Sequence, residues 1–349
     1  MFDNFVRHAP DDIAFHQHAD VMVHMMQPPQ IDGAFKGQHK TNFTMWESSA
    51  LPERFIHWLR FYDQVLVPCD HNVELFSRHH GNVKKVPLGV DHKVWKAANR
   101  EPNPRFRFHA GGSQWLRKGL DVVLEAFKRA DLDAELHIKL NPEEHNLPQL
   151  TLPDNVFLHR NWFTLEDTVK FFQNADCWVA VTRGEGFGLM PLQAAAVGVP
   201  TIMNAASGQA EFSYLGSVVV PHRPAKSHYG GMWDESDPGE VAEAMRDIYQ
   251  NHATYKTAAR NQVKDTQAWS WKKAARKLAD ALPVGGLLKD PVWVDSTLQM
   301  RMRVNRKVSG SINNNDFLFH PGQDYVVKEN VYQVLLGGGY IEAAEVEPQ

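Results

Sequence analysis

Apolar residues recur along the chain in short blocks whose spacing switches between two and three-to-four, and that switching predicts alternating strands and helices. Near the N-terminus, Asp20 to Met26 (DVMVHMM) reads as a strand closed by Gln27-Pro28-Pro29, Thr41 to Trp46 as a second and Val65 to Cys69 as a third. Pro52 opens a helix with Phe55, Leu59 and Tyr62 on one stripe, and Asn72 to His80 forms another, stopped by Gly81. From Arg105 the rhythm sharpens. Phe106 and Phe108 alternate on a strand that ends at Ala110-Gly111-Gly112-Ser113, and Leu120, Val123, Leu124 and Phe127 stripe the next helix. Further strands follow at Leu136 to Leu140, Val156 to His159, Cys177 to Val181, Thr201 to Met203 and Val218 to Val220, with a helix over Leu165 to Gln173. The order implies α/β architecture with parallel sheets and helices on their faces.

Ligands of such sheets bind beyond the carboxyl ends of the strands, so residues just after each strand carry the interest. His24 and Gln27 follow the first, Glu47 and Ser48 the second. The stretch Val181 to Asn204 holds the strongest signal. Its strand breaks at Thr182-Arg183-Gly184-Glu185-Gly186-Phe187-Gly188, and a small-residue helix runs on until Gly198 and Pro200. Glycines opening a helix let a ligand approach the backbone, and the first helical N–H groups suit an anion. A tight turn that binds nothing has the same spacing. A second loop, Gly111-Gly112-Ser113-Gln114-Trp115-Leu116-Arg117-Lys118-Gly119, offers small residues and two adjacent cations to a diphosphate. A solvated basic turn is its alternative, but both loops fall on the same edge of one sheet.

Composition narrows the class. With 349 residues, 43% hydrophobic and 22% charged, the chain is long enough for two domains and an appendage, and a net charge of −4 argues against general nucleic-acid affinity. Cys69 and Cys177 sit in or beside apolar runs, as buried thiols of a reducing compartment do. No signal-peptide plan and no run of membrane length is visible, so a soluble, cytoplasmic protein is expected. His16 with His18 and His79 with His80 lack a third ligand at metal spacing.

Glu185-Gly186-Phe187-Gly188-Leu189, Gln193 eight positions after the glutamate, the alanine-rich helix and Gly198-Val199-Pro200 resemble the donor signature of GT-B retaining glycosyltransferases of family 4. The stretch from Phe43-Thr44-Met45-Trp46-Glu47 to Asp91-His92-Lys93-Val94-Trp95 resembles the later half of that family's amino-terminal domain, and the likeness covers roughly residues 41 to 282. It implies two Rossmann-like domains facing a cleft: a shortened acceptor domain over 1–95, a donor domain over 96–264, a crossover helix over 265–282 and a C-terminal β-rich appendage over 283–349.

The resemblance also assigns roles. Glu185 would hold sugar hydroxyls. Lys118 would meet the donor diphosphate, with Arg117 standing in for an arginine whose usual position falls on Gly112. Gly111, Gly112 and Ser113 would line that loop, while the backbone of Gly186, Phe187, Gly188 and Leu189 would complete the phosphate site. Gln193 replaces a carboxylate that usually holds the ribose, and the base would lie beside His159-Arg160-Asn161-Trp162, where Trp162 reads as packing. His24 and Glu47 would face the acceptor. Asn204 to Glu211 takes the place of a Gly-rich turn ending in Glu. The co-substrate would be a nucleotide-diphosphate sugar, with a UDP-sugar expected, and no metal or other cofactor is implied. A GT-B epimerase or hydrolase, and a degenerate sugar-nucleotide-binding protein, remain open beside this reading.

The tail differs. Met300 to Val308 alternates and is the most basic segment, Phe317 to Tyr325 suggests a turn between strands, and Glu329 to Leu336 a short helix. A structural brace and a surface for an acceptor, partner or phosphate backbone both fit, and the tail vaguely resembles bacteriophage modules, which would place it in a host cytoplasm. A small molecule, a glycan, a protein side chain or a hydroxylated base of phage-type DNA all remain as acceptor.

Overall fold

A computed structural model describes residues 21–25, 39–144 and 150–283, together with the backbone of four strands between 299 and 328. The first sheet holds β1 (Val21–His24), β2 (His39–Phe43), β3 (Gln64–Val67) and β4 (Val83–Lys85), all parallel and in that spatial order. Helices α1 (Glu53–Leu59) and α2 (Asp70–Ser77) connect them. Phe55, Leu59, Val65, Val67, Leu75 and Phe76 are buried together on one face, which is why the helical stripe and the continuous apolar strand coexist here.

The second sheet has six parallel strands. They are β5 (Phe106–Gly112), β6 (Ala134–Leu140), β7 (Val156–His159), β8 (Cys177–Ala180), β9 (Thr201–Asn204) and β10 (Val218–Val220), in the order β10-β9-β8-β5-β6-β7. The helices between them are α3 (Leu120–Ala130), α4 (Leu165–Gln173) and α5 (Leu189–Ala196). The order reverses between β5 and β8, so β5 is the switch point at whose carboxyl end a ligand site is expected. Strand β5 runs through Gly111 and Gly112, so the basic loop is shorter than expected and begins at Ser113. A 3-10 segment, Ser207–Leu215, replaces the expected turn over Asn204 to Glu211.

Several elements fall outside the pattern-based expectation. A hairpin, β11 (Arg223–Lys226) with β12 (Met232–Glu235), turns at Gly230 and Gly231, both at positive φ. Helices α6 (Pro238–Gln250) and α7 (His252–Gln262) then cover the donor sheet, and α8 (Trp271–Ala281) returns to the first sheet, where Gln64 Nε2 and Lys84 Nζ each donate to the Ala281 carbonyl at 3.0 Å. One buried cluster joins Phe43 and Leu66 of the first sheet, and Cys69 at the start of α2, to Trp178, Phe187, Phe212 and Trp271. The floor of the expected cleft is therefore packed side chains.

In the tail, β13 (Gln299–Arg303) pairs antiparallel with β16 (Asp324–Lys328), and β14 (Val308–Ile312) with β15 (Asn315–Phe319). The strands flanking the turn proposed over Phe317 to Tyr325 thus pair with others rather than with each other. The helix expected over Glu329 to Leu336, together with Gln27, His16 and His18, lies outside the described residues. Among the described residues, no helix is long and apolar enough to cross a membrane.

Candidate active site

The two glycine-bearing loops meet. Lys118 Nζ donates to Glu185 Oε2 at 2.5 Å, and the two side chains are only 13% and 14% exposed. Gly112 explains how the lysine reaches that far. Its φ is +136°, and a Cβ there would lie 2.8–2.9 Å from Lys118 Cε, Cδ and Cγ. The lysine chain runs across the space where a side chain would project, so a Cβ here would displace Lys118 as well as strain the backbone.

Arg117 is buried and engaged by protein groups: Nη1 donates to the Gly184 carbonyl at 2.7 Å and Nε to Gln114 Oε1 at 2.5 Å. It ties the basic loop to the Glu185 loop. Gln114 holds φ +68°, and its N–H donates to Glu144 Oε2 at 2.6 Å while its side-chain oxygen also accepts from Tyr229 Oη. Tyr229, from the hairpin, was not anticipated, and the only signal for it was the Gly230-Gly231 turn.

The Glu185 loop is pinned on its other side. Glu185 N–H donates to Ser207 Oγ and Gly208 N–H to the Glu185 carbonyl, each at 2.8 Å. Asn72 Nδ2 and Cys69 Sγ both donate to the Gly186 carbonyl at 3.2 Å. A Cβ on Gly184 would collide with the Glu47 carbonyl oxygen, which also accepts from Trp233 Nε1 at 2.8 Å. Ser48 Oγ donates to the Gly230 and Met232 carbonyls. The segment after β2 is thus clasped by the hairpin against the Glu185 loop.

Four charges converge. Burial would raise the Glu185 carboxyl, but Lys118 and Arg117 outweigh it and hold the group below its ordinary value. Glu47 is pushed the other way by its own burial, with Arg117 and Lys118 opposing and Glu185 adding to the rise. No salt-bridge partner touches the Glu47 carboxylate among the described residues.

Gly188 caps α5 at φ +98°, and the first N–H groups of the helix follow at Leu189. Phe187 is 1% exposed and packs on Phe212 and Trp269, so its side chain serves the core. Gln193 is half-buried on α5, without a side-chain hydrogen bond among the described residues. Ser113 is exposed, and Arg160 donates to the Glu144 carbonyl at 3.0 Å. Trp162 is 69% exposed and therefore does not pack as expected. His24 shares a 2.8 Å hydrogen bond with Tyr62 Oη. Glu211 reaches across to Lys85, at 3.2 Å, and to the Asp70 N–H. No group of three or more His, Cys, Asp or Glu among the described residues could hold a metal ion.

The class comes from the fold. Sucrose-phosphate synthase from Thermosynechococcus elongatus superimposes with a TM-score of 0.57 at 18% identity, over 70% of this chain and 67% of that one. WaaG, a glycosyltransferase involved in lipopolysaccharide biosynthesis, gives 0.55 at 17%, over 76% and 79%. Anabaena Alr3699/HepE in complex with UDP-glucose gives 0.53 at 14%, over 69% and 71%. The fold is GT-B.

The family enters through the sequence. The profile of a family described as "Family 4 Glycosyltransferase in conflict systems" matches residues 165–278. D-inositol 3-phosphate glycosyltransferase of Paenarthrobacter aurescens is 26% identical over 226 residues, which is 58% of this chain and 52% of that protein. An uncharacterized glycosyltransferase, MJ1178 of Methanocaldococcus jannaschii, is 24% identical over 165 residues, 45% of this chain and 42% of its own. The chain spans about half the length of these curated relatives. It is thus a GT-B chain whose residues 165–278 match the model of that glycosyltransferase family. The likeness of the tail to bacteriophage modules gains no support from these similarities.

Proposed function

We propose that this protein is a retaining glycosyltransferase that moves a sugar from a nucleotide-diphosphate donor, a UDP-sugar in the first instance, to a hydroxyl acceptor. The observation that carries the reading is the Lys118–Glu185 pair, held where two loops meet at the carboxyl edge of the donor sheet and faced by Glu47. Breaking an anomeric bond leaves extra negative charge on the diphosphate and partial positive charge on the sugar. Lys118 and the N–H groups at the start of α5 meet the first, fixed in place before the reaction. Glu185 accepts from sugar hydroxyls and sets the ring, and Arg117 keeps the two loops in register through Gly184. Gln193 both donates and accepts toward the ribose. No protein base is assigned, because on the retained face a donor phosphate oxygen takes the acceptor proton. One structural neighbour, known in complex with UDP-glucose, supports the donor class.

The test is release of free nucleotide from a panel of activated sugars, with and without candidate acceptors. Acceptor-dependent release is expected. Acceptor-independent product would indicate epimerase or hydrolase chemistry, and binding without turnover a degenerate binding protein. Glu185→Ala should abolish transfer while the nucleotide still binds, and retained turnover would remove Glu185 from the sugar.

A further inference from the structure

A chain of polar side chains crosses the donor sheet on the face covered by α4, and the catalytic reading leaves it unused. Parallel register sets His109 beside His137 and Lys139 beside His159. Arg107 Nε donates to Glu135 Oε2 at 2.8 Å. The same oxygen lies 3.1 Å from His137 Nε2, and His137 Nδ1 lies 3.0 Å from His159 Nε2. The chain ends there, at the carboxyl end of β7, on the same sheet edge as Gly112.

The order of partners fixes every proton. Arg107 can only donate, so the Glu135 oxygen accepts, and His137 Nε2 must carry a hydrogen to reach it. A neutral His137 then has a bare Nδ1, which obliges His159 Nε2 to donate. A neutral His159 in turn presents a bare Nδ1. That atom has no protein partner among the described residues, and it is not sealed from water. The surroundings keep the rings neutral. Burial lowers His137, with Arg107 adding to it and Glu135 opposing. Burial, His137 and Lys139 lower His159. The other groups facing the rings are His109, 2% exposed and lowered chiefly by burial, and the apolar Phe157, Phe163 and Phe171. Lys139 itself donates to the Leu140 carbonyl at 2.6 Å and lies 4.7 Å over Phe163.

In the proposed reaction the sugar lies toward Glu185, beyond β8, and the phosphates beyond β5. The sheet order β8-β5-β6-β7 therefore sends the nucleoside toward β6 and β7. We propose that His159 is the residue that reads the donor's base, accepting through Nδ1 a hydrogen bond from the ring imino N–H of a uracil, thymine or guanine, with its tautomer set by Arg107, Glu135 and His137. This deepens the nucleotide-sugar reading and rests on it. It also contains a proton switch: a second proton on His137 turns its Nδ1 into a donor, so His159 must flip to present Nδ1–H, and the recognition is lost.

The test uses the full chain and two probe pairs, UDP with 3-methyl-UDP and GDP with 1-methyl-GDP, in which methylation deletes the imino hydrogen. Calorimetric titration of whichever pair binds should show methylation weakening affinity about five- to tenfold in the wild type, the size of one hydrogen bond. The penalty should fall below about twofold in His159→Ala and persist in His159→Asn, whose Oδ1 keeps an acceptor near the Nδ1 position. Long-range nitrogen NMR of the free protein near neutrality should show His159 protonated at Nε2 and bare at Nδ1. A protonated Nδ1 there overturns the relay. An equal methylation penalty in wild type and His159→Ala overturns the base assignment while leaving the nucleotide-sugar reading intact. Failure of UDP, dTDP and GDP alike to bind overturns the assignment whatever the NMR shows, and failure of ADP and CDP as well overturns the nucleotide-sugar reading.

Discussion

Lys118→Met removes one charge from the centre of the site and leaves most of the chain that crosses Gly112. Both members of the pair are about one-seventh exposed, at 13% and 14%, so the abandoned Glu185 carboxylate cannot simply move into bulk water. Removing one partner of a buried pair costs about 3–5 kcal/mol. Arg117, the next largest group holding Glu185 down, remains in place, so the lower end, about 3 kcal/mol, is expected. The dependence on pH gives the sharper test. In the wild type Glu185 sits below its ordinary value, so the pair contributes stability above the unfolded carboxyl value and loses it as pH falls through the folded one. In the variant burial prevails and the folded value rises. Stability is then retained at low pH and lost as pH climbs through that raised value. The deficit against wild type should be largest at an alkaline pH and shrink toward an acidic one as Glu185 takes up a proton. Urea unfolding of wild type, Lys118→Met, Glu185→Gln and the double variant measures this, provided the slopes agree. The double variant should recover about 2 kcal/mol relative to Lys118→Met, because no buried charge is left alone. Equal deficits at both pH values, or no recovery, would refute the buried-pair account.

Other perturbations separate the roles around that pair. Gly112→Ala forces a Cβ into the Lys118 chain at φ +136° and should cost about 1–3 kcal/mol of stability while raising the donor KM about tenfold; an unchanged KM would dissociate the lysine from the donor. Gln193→Ala should raise the donor KM about three- to tenfold and lower kcat less, and equal losses in both, or none, would remove the amide from the ribose. Burial pushes the Cys69 thiol up to about 11, so iodoacetamide at neutral pH should leave the folded protein unlabelled and modify it only in urea; stoichiometric labelling of the native state would contradict that burial.

What could be read from the pattern follows physical cause. Helix α4 was legible to the residue because Thr164 and Asp167 form a reciprocal capping box and Val169, Phe171 and Phe172 make its buried stripe. The meeting of Lys118 with Glu185 was legible too, since both follow strands of one parallel sheet and the carboxyl edge collects such loops. The hairpin was not: Arg-Pro-Ala-Lys and Met-Trp-Asp-Glu have no apolar alternation, and only Trp233 among them is buried. Strand β4, Val83–Lys85, contributes a single apolar residue and is defined by its partner β3. Helix α6 carried both a readable start, Asp237 capping with Pro238 next, and a readable stripe, Val241, Met245 and Ile248 at helical spacing, yet it fell outside the pattern-based expectation. The histidine relay needed the register of three strands, which local spacing does not encode. The closure of Glu47 onto the Glu185 loop is tertiary throughout, built from Trp233, Ser48, Asn72 and Cys69.

That closure has a consequence for donor binding. Two cations, Arg117 and Lys118, already face two carboxylates, Glu47 and Glu185, so an arriving diphosphate brings negative charge to a site with no cation to spare among these four. A proton is the cheapest countercharge, and the two carboxylates do not compete equally for it. Glu185 keeps its charge through Lys118. Glu47 is raised by burial and has no ion-pair partner among the described residues, so the diphosphate raises it further and the proton settles there. Binding should therefore take up as much as one proton, and affinity should strengthen as pH falls through the interval between the free and bound values of Glu47. Calorimetry of an intact nucleotide sugar, whose esterified phosphates do not titrate in this interval, in buffers of different ionisation enthalpy gives the proton count directly. Glu47→Gln should bind with no proton uptake and with affinity flat across the same interval. Enthalpies independent of buffer in the wild type would mean that Glu47 is not the neighbour of the phosphates, and the acceptor-side segment would have to meet the donor at some other point.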